Sequence, residues 1–144
     1  MAETILINSG VVQKTLETSD GKTCDIVFNP TDSVFVEKLF TAFDTLDKKQ
    51  EAYKAEVEKT GNKREVFEIA RKMDEEMREI IGEVFGFDIC AALFGEMNVY
   101  ALADGLPVWA NLMLAIMDEV DTAFAREQKA TNPRVARYTK KYHR

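Results

Sequence analysis

Two runs of apolar residues at helical spacing, separated by Thr60-Gly61-Asn62, restrict this chain to a small set of folds. Val36, Leu39, Phe43, Leu46, Tyr53 and Val57 follow one another at intervals of three and four residues, interrupted only where Gln50 stands. Val66, Ala70, Met73, Met77, Ile80 and Val84 continue the same intervals without interruption. Residues three and four apart share one face of an α-helix, so each run specifies a helix with one apolar stripe. Two such helices joined by a short polar connection fold back into an antiparallel hairpin whose stripes still need a third element to cover them. The intervening charges, including the Glu68 and Lys72 pair, belong to the solvated faces.

The stretch that follows, Val84-Phe85-Gly86-Phe87-Asp88-Ile89-Cys90-Ala91-Ala92-Leu93-Phe94-Gly95-Glu96-Met97-Asn98, supplies a candidate cover. Gly86 can take the left-handed conformation that ends a helix, Asp88 can cap a new one, and Gly95 can end that one two turns later. Phe87 through Phe94 is too apolar for a solvated loop and too short to cross a membrane. It reads as a buried helical plug around which the longer helices pack. Asn98 then caps a short helical turn through Leu102, and Ala103-Asp104-Gly105-Leu106-Pro107 breaks it. Pro107 opens a last helix carrying Trp109, Leu112, Met113, Ile116, Val120 and Phe124, with Leu114 and Met117 on its flanks. This wide apolar face marks the central helix of the core, or one that also meets a partner. Asn132-Pro133 is expected to end the ordered part.

Ahead of the helices, residues 4 to 28 read as β structure. Ile5 and Ile7 share one face of an extended segment, with Leu6 on the other, Asn8-Ser9-Gly10 is a turn, and Val11 to Thr18 can be extended. Ser19-Asp20-Gly21 signals a hairpin into a strand from Lys22 to Phe28, on which Cys24, Ile26 and Phe28 share the face toward the helices. A sheet of two or three strands has open edges, so it either packs on the helical body or pairs with another chain. Asn29-Pro30-Thr31-Asp32-Ser33 then provides a turn and the cap of the first long helix. The expected architecture is α+β and mainly α: a small hairpin sheet on a bundle of three long helices with short helical turns. Residues 1–129 form one domain, with a β-hairpin region at 1–29 and a helical bundle at 30–129, and residues 130–144 form a basic flexible tail.

A length of 144 residues suffices for one core without disulfides or metals to staple it. Cys24 and Cys90 are far apart, each in an apolar setting, and read as reduced residues of a cytoplasmic protein. The N-terminus lacks the pattern of a signal peptide, and no stretch approaches a membrane span. Charge is unevenly spread. Arg134, Arg137, Lys140, Lys141 and Arg144 give the tail +5, leaving -11 on residues 1–129 out of a net charge of -6. The acidic body repels nucleic acid and anionic membrane, whereas the tail can attract either, or an acidic protein surface.

Reactive constellations are scarce. A Ser/His or Cys/His pair needs a histidine, and the single one, His143, is next to last. Two isolated cysteines do not make a common zinc site, and Gly82, Gly86, Gly95 and Gly105 fit no phosphate-binding loop, so no cofactor is expected. Glu75-Glu76-Met77-Arg78-Glu79, with Asp118-Glu119-Val120-Asp121 on the last helix, resembles the EExxE and ExxD magnesium motifs of MazG-type nucleotide pyrophosphohydrolases. Asp118 stands where that pattern has Glu, and the helical register turns Glu75 and Glu79 away from the seam. The competing reading is a solvated helix face. Met73, Met77, Met97, Met113 and Met117 read as core filling or as an adaptable contact surface, and Trp109 as core or as an anchor for a partner. The candidate partner-binding residues are accordingly Trp109, Met113, Met117, Arg134, Arg137, Lys140 and Lys141.

Val84-Phe85-Gly86, Leu93-Phe94-Gly95 and Asn98, followed by the apolar helix from Trp109, give residues 22 to 125 an order of elements that resembles small tail proteins of siphophages and prophages of Gram-positive bacteria. Members similar to this chain are regarded as tail assembly chaperones or their relatives. The resemblance implies a non-enzymatic protein, acting in the host cytoplasm during phage assembly, that binds the tape measure and tail tube proteins, with a homo-oligomer as a possible form. The basic C-terminus departs from that pattern. Two other functions come from the residues: the MazG-like hydrolase, and a nucleic-acid-binding accessory protein acting through the tail.

Overall fold

The computed structural model of the protein describes residues 2–130 and 132–142. Its elements are β1 (Val12–Glu17), β2 (Thr23–Phe28), α1 (Ser33–Lys59), α2 (Lys63–Phe85), α3 (Ile89–Phe94), β3 (Leu102–Ala103), β4 (Leu106–Pro107), α4 (Val108–Lys129) and α5 (Arg134–Tyr142). The expected α+β, mainly α architecture is present, with β1 and β2 packed on a bundle led by α1, α2 and α4.

Local chemistry sets most of the boundaries. The Asp32 carboxylate accepts from the Val34 amide at 3.0 Å to start α1, and the Asn62 side chain accepts from the Arg64 amide at 2.9 Å to start α2. Gly86 closes α2 at φ 81°, and its N–H donates to the Gly82 carbonyl. Asp88 then caps α3 by accepting from the Ala91 amide at 3.1 Å. Helix α4 has no side-chain cap. Its first amides are met by the preceding loop instead: Val108 N–H donates to the Ala101 carbonyl at 2.8 Å and Trp109 N–H to that of Val99 at 3.1 Å.

The core lies where β2, α1, α2, α3 and α4 converge. Leu39 and Leu46 from α1, Met77 and Ile81 from α2, Ile89 and Cys90 from α3, and Met113 from α4 are fully enclosed. Phe35 joins three elements, its ring centroid 5.0 Å from that of Phe28 and 6.2 Å from that of Phe85. Ile26 and Phe28 are buried and Cys24 is half-buried, so the inward face of β2 is the expected one. The plug is buried through Ile89, Cys90, Leu93 and Phe94, whereas Phe87, Ala91 and Ala92 face outward. Six residues of helix have one inward side, and the residues on the opposite side must meet solvent.

Three expectations fail. Residues 4 to 10 form no strand: Ile5, Leu6 and Ile7 are 84%, 92% and 85% exposed, and the sheet has two strands. Asn98 does not cap a helix through Leu102. Its Oδ1 accepts from the Tyr100 amide at 2.9 Å in a turn, and Leu102–Ala103 pairs antiparallel with Leu106–Pro107 around Asp104 and Gly105, both at positive φ. Order does not end at Asn132-Pro133, because Asn132 caps α5 by accepting from the Arg134 amide at 3.0 Å. The basic Arg144 and the lone histidine, His143, lie outside the described residues.

Candidate functional site

The seven residues proposed from sequence as partner contacts divide into two groups. Trp109 is 2% exposed and Met113 is fully buried, both on the inner face of α4. The indole packs 5.6 Å from the Phe43 ring, centroid to centroid, and its Nε1–H donates to the Gln50 side-chain oxygen at 2.9 Å. Gln50, which interrupts the apolar stripe of α1, thus serves the indole of α4. This settled, enclosed position removes Trp109 and Met113 from the contact surface, and Met117 is partly buried against the same core. The second group, Arg134, Arg137, Lys140 and Lys141, is exposed along α5.

Helix α5 is built from its sequence in a simple way. Asn132 and Pro133 fix the first turn, the Arg137 amide donating to the Pro133 carbonyl at 2.9 Å. Lys140 and Lys141 sit in the last turn, where the helix dipole favours positive charge. Arg134, Arg137 and Lys141, three and four residues apart, line one side, while Val135 and Tyr138 form an adjoining apolar strip at 75% and 49% exposure. The Arg137 guanidinium lies over the Tyr138 ring, 5.4 Å from its centroid, an arrangement that holds the two side chains together. No residue of α5 with a described side chain is buried.

The acidic motifs are not gathered into a site. Glu75 and Glu79 are exposed on α2 and line an open groove with Gly82, Glu83, Gly86 and Phe87. Glu76 pairs with Lys49 at 3.4 Å and Glu119 with Lys14 at 3.3 Å. Among the described residues, no three carboxylate, cysteine or histidine side chains lie close enough to share a cation.

A second acid, Asp74, has a structural task. Its carboxylate accepts from the Val99 amide at 2.7 Å and from Arg78 Nε at 3.0 Å, and Arg78 donates onward to the Met97 carbonyl. With Asn98 Nδ2 donating to the Ala70 carbonyl at 3.1 Å, these contacts fasten the loop before β3 to α2. Charge-assisted bonds at this half-buried position are stronger than neutral ones.

Two protonation equilibria are displaced strongly. Burial pushes the Cys90 thiol up to about 12, against a smaller opposing pull from Arg78. Burial likewise raises the Tyr100 phenol, whose hydroxyl donates to Met77 Sδ at 2.7 Å and whose ring stacks on Tyr53 at 4.6 Å. Both shifts favour the neutral form, the opposite of what activates a thiol or phenol for nucleophilic work. A cleft of about 370 Å³ between the end of β1, Phe94 and α4 has an apolar floor of Leu16, Leu93 and Leu112 and a rim that includes Glu17 and Asp104. No helix of the described residues is long and apolar enough to cross a membrane. The chain matches no protein-family model, no curated protein and no solved structure.

Proposed function

We propose that this is a protein-binding factor of phage tail assembly, in the manner of a tail assembly chaperone, and that α5 is a contact element for its larger partners. The observation that carries the binding part of the reading is the exposed, basic and partly apolar helix Arg134–Tyr142, held outside the core that the rest of the chain completes. A helix this short is marginal alone in water, and an amphipathic one gains most of its stability from a surface on which to lie. Arg134, Arg137, Lys140 and Lys141 suit an acidic face, and Val135 with Tyr138 suits an apolar groove beside it. The tail-assembly part rests on the resemblance of residues 22 to 125 and on the tape measure protein being a long helical partner in need of cover.

The reading expects a tape-measure-like protein to be encoded nearby, and co-expression with that protein is the direct test. The two should co-purify, and Arg134→Glu/Arg137→Glu/Lys140→Glu/Lys141→Glu should abolish the association while leaving the helical circular dichroism unchanged. Absence of phage genes around the coding sequence, or co-purification that ignores the four reversals, would count against the assignment. Nucleic-acid binding is the second reading, because the same four cations favour phosphates. Retention of an oligonucleotide that fades with added salt and disappears in the fourfold variant would put it in first place.

A further inference from the structure

The N-terminal segment ahead of β1 carries Ile5, Leu6 and Ile7 at 84%, 92% and 85% exposure, three large apolar side chains in succession with no cover among the described residues. Its base is not loose. Asn29 Nδ2 donates to the Ser9 carbonyl at 2.8 Å, the Gly10 amide donates to Asn8 Oδ1 at 3.0 Å, and Gly10 turns at φ 77° with the Asn29 side chain where a Cβ would otherwise sit. The segment therefore leaves the body from a fixed point. It cannot continue the hairpin: Val12 pairs with Phe28, and the chain beyond Phe28 turns through Asn29 and Pro30 into α1, so no strand runs beside residues 4 to 10.

We infer that Glu3–Asn8 is a donor strand that adds to the open edge of β2 in a second copy of this chain. Three features select that acceptor. The arm is about as long as β2, which has six residues and pairs only with β1. Its side chains alternate two to one: in an extended strand Ile5 and Ile7 face one way and Leu6 the other. A sheet that accepts it needs an apolar inner side for two residues and one apolar neighbour on the outer side. The β1–β2 sheet meets both requirements, with Ile26 and Phe28 inward over the helices and Val27, 66% exposed, outward beside the place that Leu6 would take. Each chain carries both the donor and the acceptor, so two copies can exchange arms reciprocally around a two-fold axis. The inference does not depend on what α5 binds.

The test is the mass of the full chain in solution, with and without changes confined to exposed positions. Wild type should sediment as a multiple of 16.3 kDa, with alternate amides of residues 4 to 8 protected from hydrogen exchange. Ile5→Asp/Ile7→Asp should reduce the mass to that of a single chain and expose those amides, with unchanged helical circular dichroism. Leu6→Pro keeps an apolar side chain and removes one ladder donor, so it should dissociate the assembly if strand pairing holds it. Val27→Lys should weaken it from the acceptor side. A monomeric wild type, an oligomer that survives the arm variants, or arm amides protected only when another protein is added would each overturn the proposal.

Discussion

At the residue scale, Gln50 and Trp109 show how one position can mislead when read along one helix. Gln50 looks like a defect in an apolar stripe, yet it supplies the acceptor that a buried indole requires. Gln50→Leu would restore the stripe and strand the indole N–H, so it should cost about 1–3 kcal/mol in urea unfolding, the range for an unsatisfied buried donor. Trp109→Ala, which empties the site, should cost about 3–5 kcal/mol. Cys90 gives a pH dependence with a definite sign. The unfolded thiol ionises near its ordinary value of 9.0, whereas the folded one keeps its proton up to about 12. Between those values the folded state binds more protons, so stability falls as pH rises through the window, and the contribution is fully present below it. Denaturant midpoints measured from pH 8 to 10.5 should decline, and Cys90→Ala should flatten the decline at the alkaline end. Native Cys90 should also resist thiol reagents that modify the half-buried Cys24.

At the scale of elements, the junction between α2 and α3 can be taken apart one residue at a time. Gly86 stands at φ 81° with open space where a side chain would go, so Gly86→Ala should cost about 1 kcal/mol through the backbone alone. Asp88→Ala removes the cap on Ala91 and should cost about 0.5–2 kcal/mol, and thermal unfolding of the two single variants measures both. This junction was legible in the sequence because glycine, a capping acid and a second glycine each act within a few residues. The three long helices were legible for a related reason, their periodicity repeating over about four turns or more. The β3–β4 hairpin was not, although Asp104-Gly105 is a strong turn dipeptide. Strands of two residues have no alternation to detect, and only contacts with α4 give them their place. Residues 4 to 7 misled in the opposite sense, since a short apolar run rich in isoleucine promises a strand without saying which chain supplies its neighbour. The α5 helix was hidden by the proline and net charge that mark a disordered tail, and its cap on Asn132 became apparent only in the fold.

At the scale of the molecule, the buried core and the exposed elements proposed as contacts occupy different parts of the chain. Residues 12 to 124 hold the buried core, and neither the N-terminal segment nor α5 adds a fully buried side chain among those described. Deleting residues 131–144 should therefore change the unfolding free energy by no more than about 0.5 kcal/mol, the range for surface changes, while removing the contacts proposed for α5, and a paired denaturation and pull-down experiment separates the two effects. The tie between the loop before β3 and α2 has a further consequence. Asp74, Arg78 and Asn98 anchor the chain just upstream of the exposed Asp104-Gly105 tip, and Gln50 anchors it just downstream through Trp109. A polypeptide severed at that tip would keep one new end fastened to α2 and the other to α1. Fragments 1–104 and 105–144, made separately and mixed, should then find one another and rebuild the native spectrum, which would make the protein a natural split reporter.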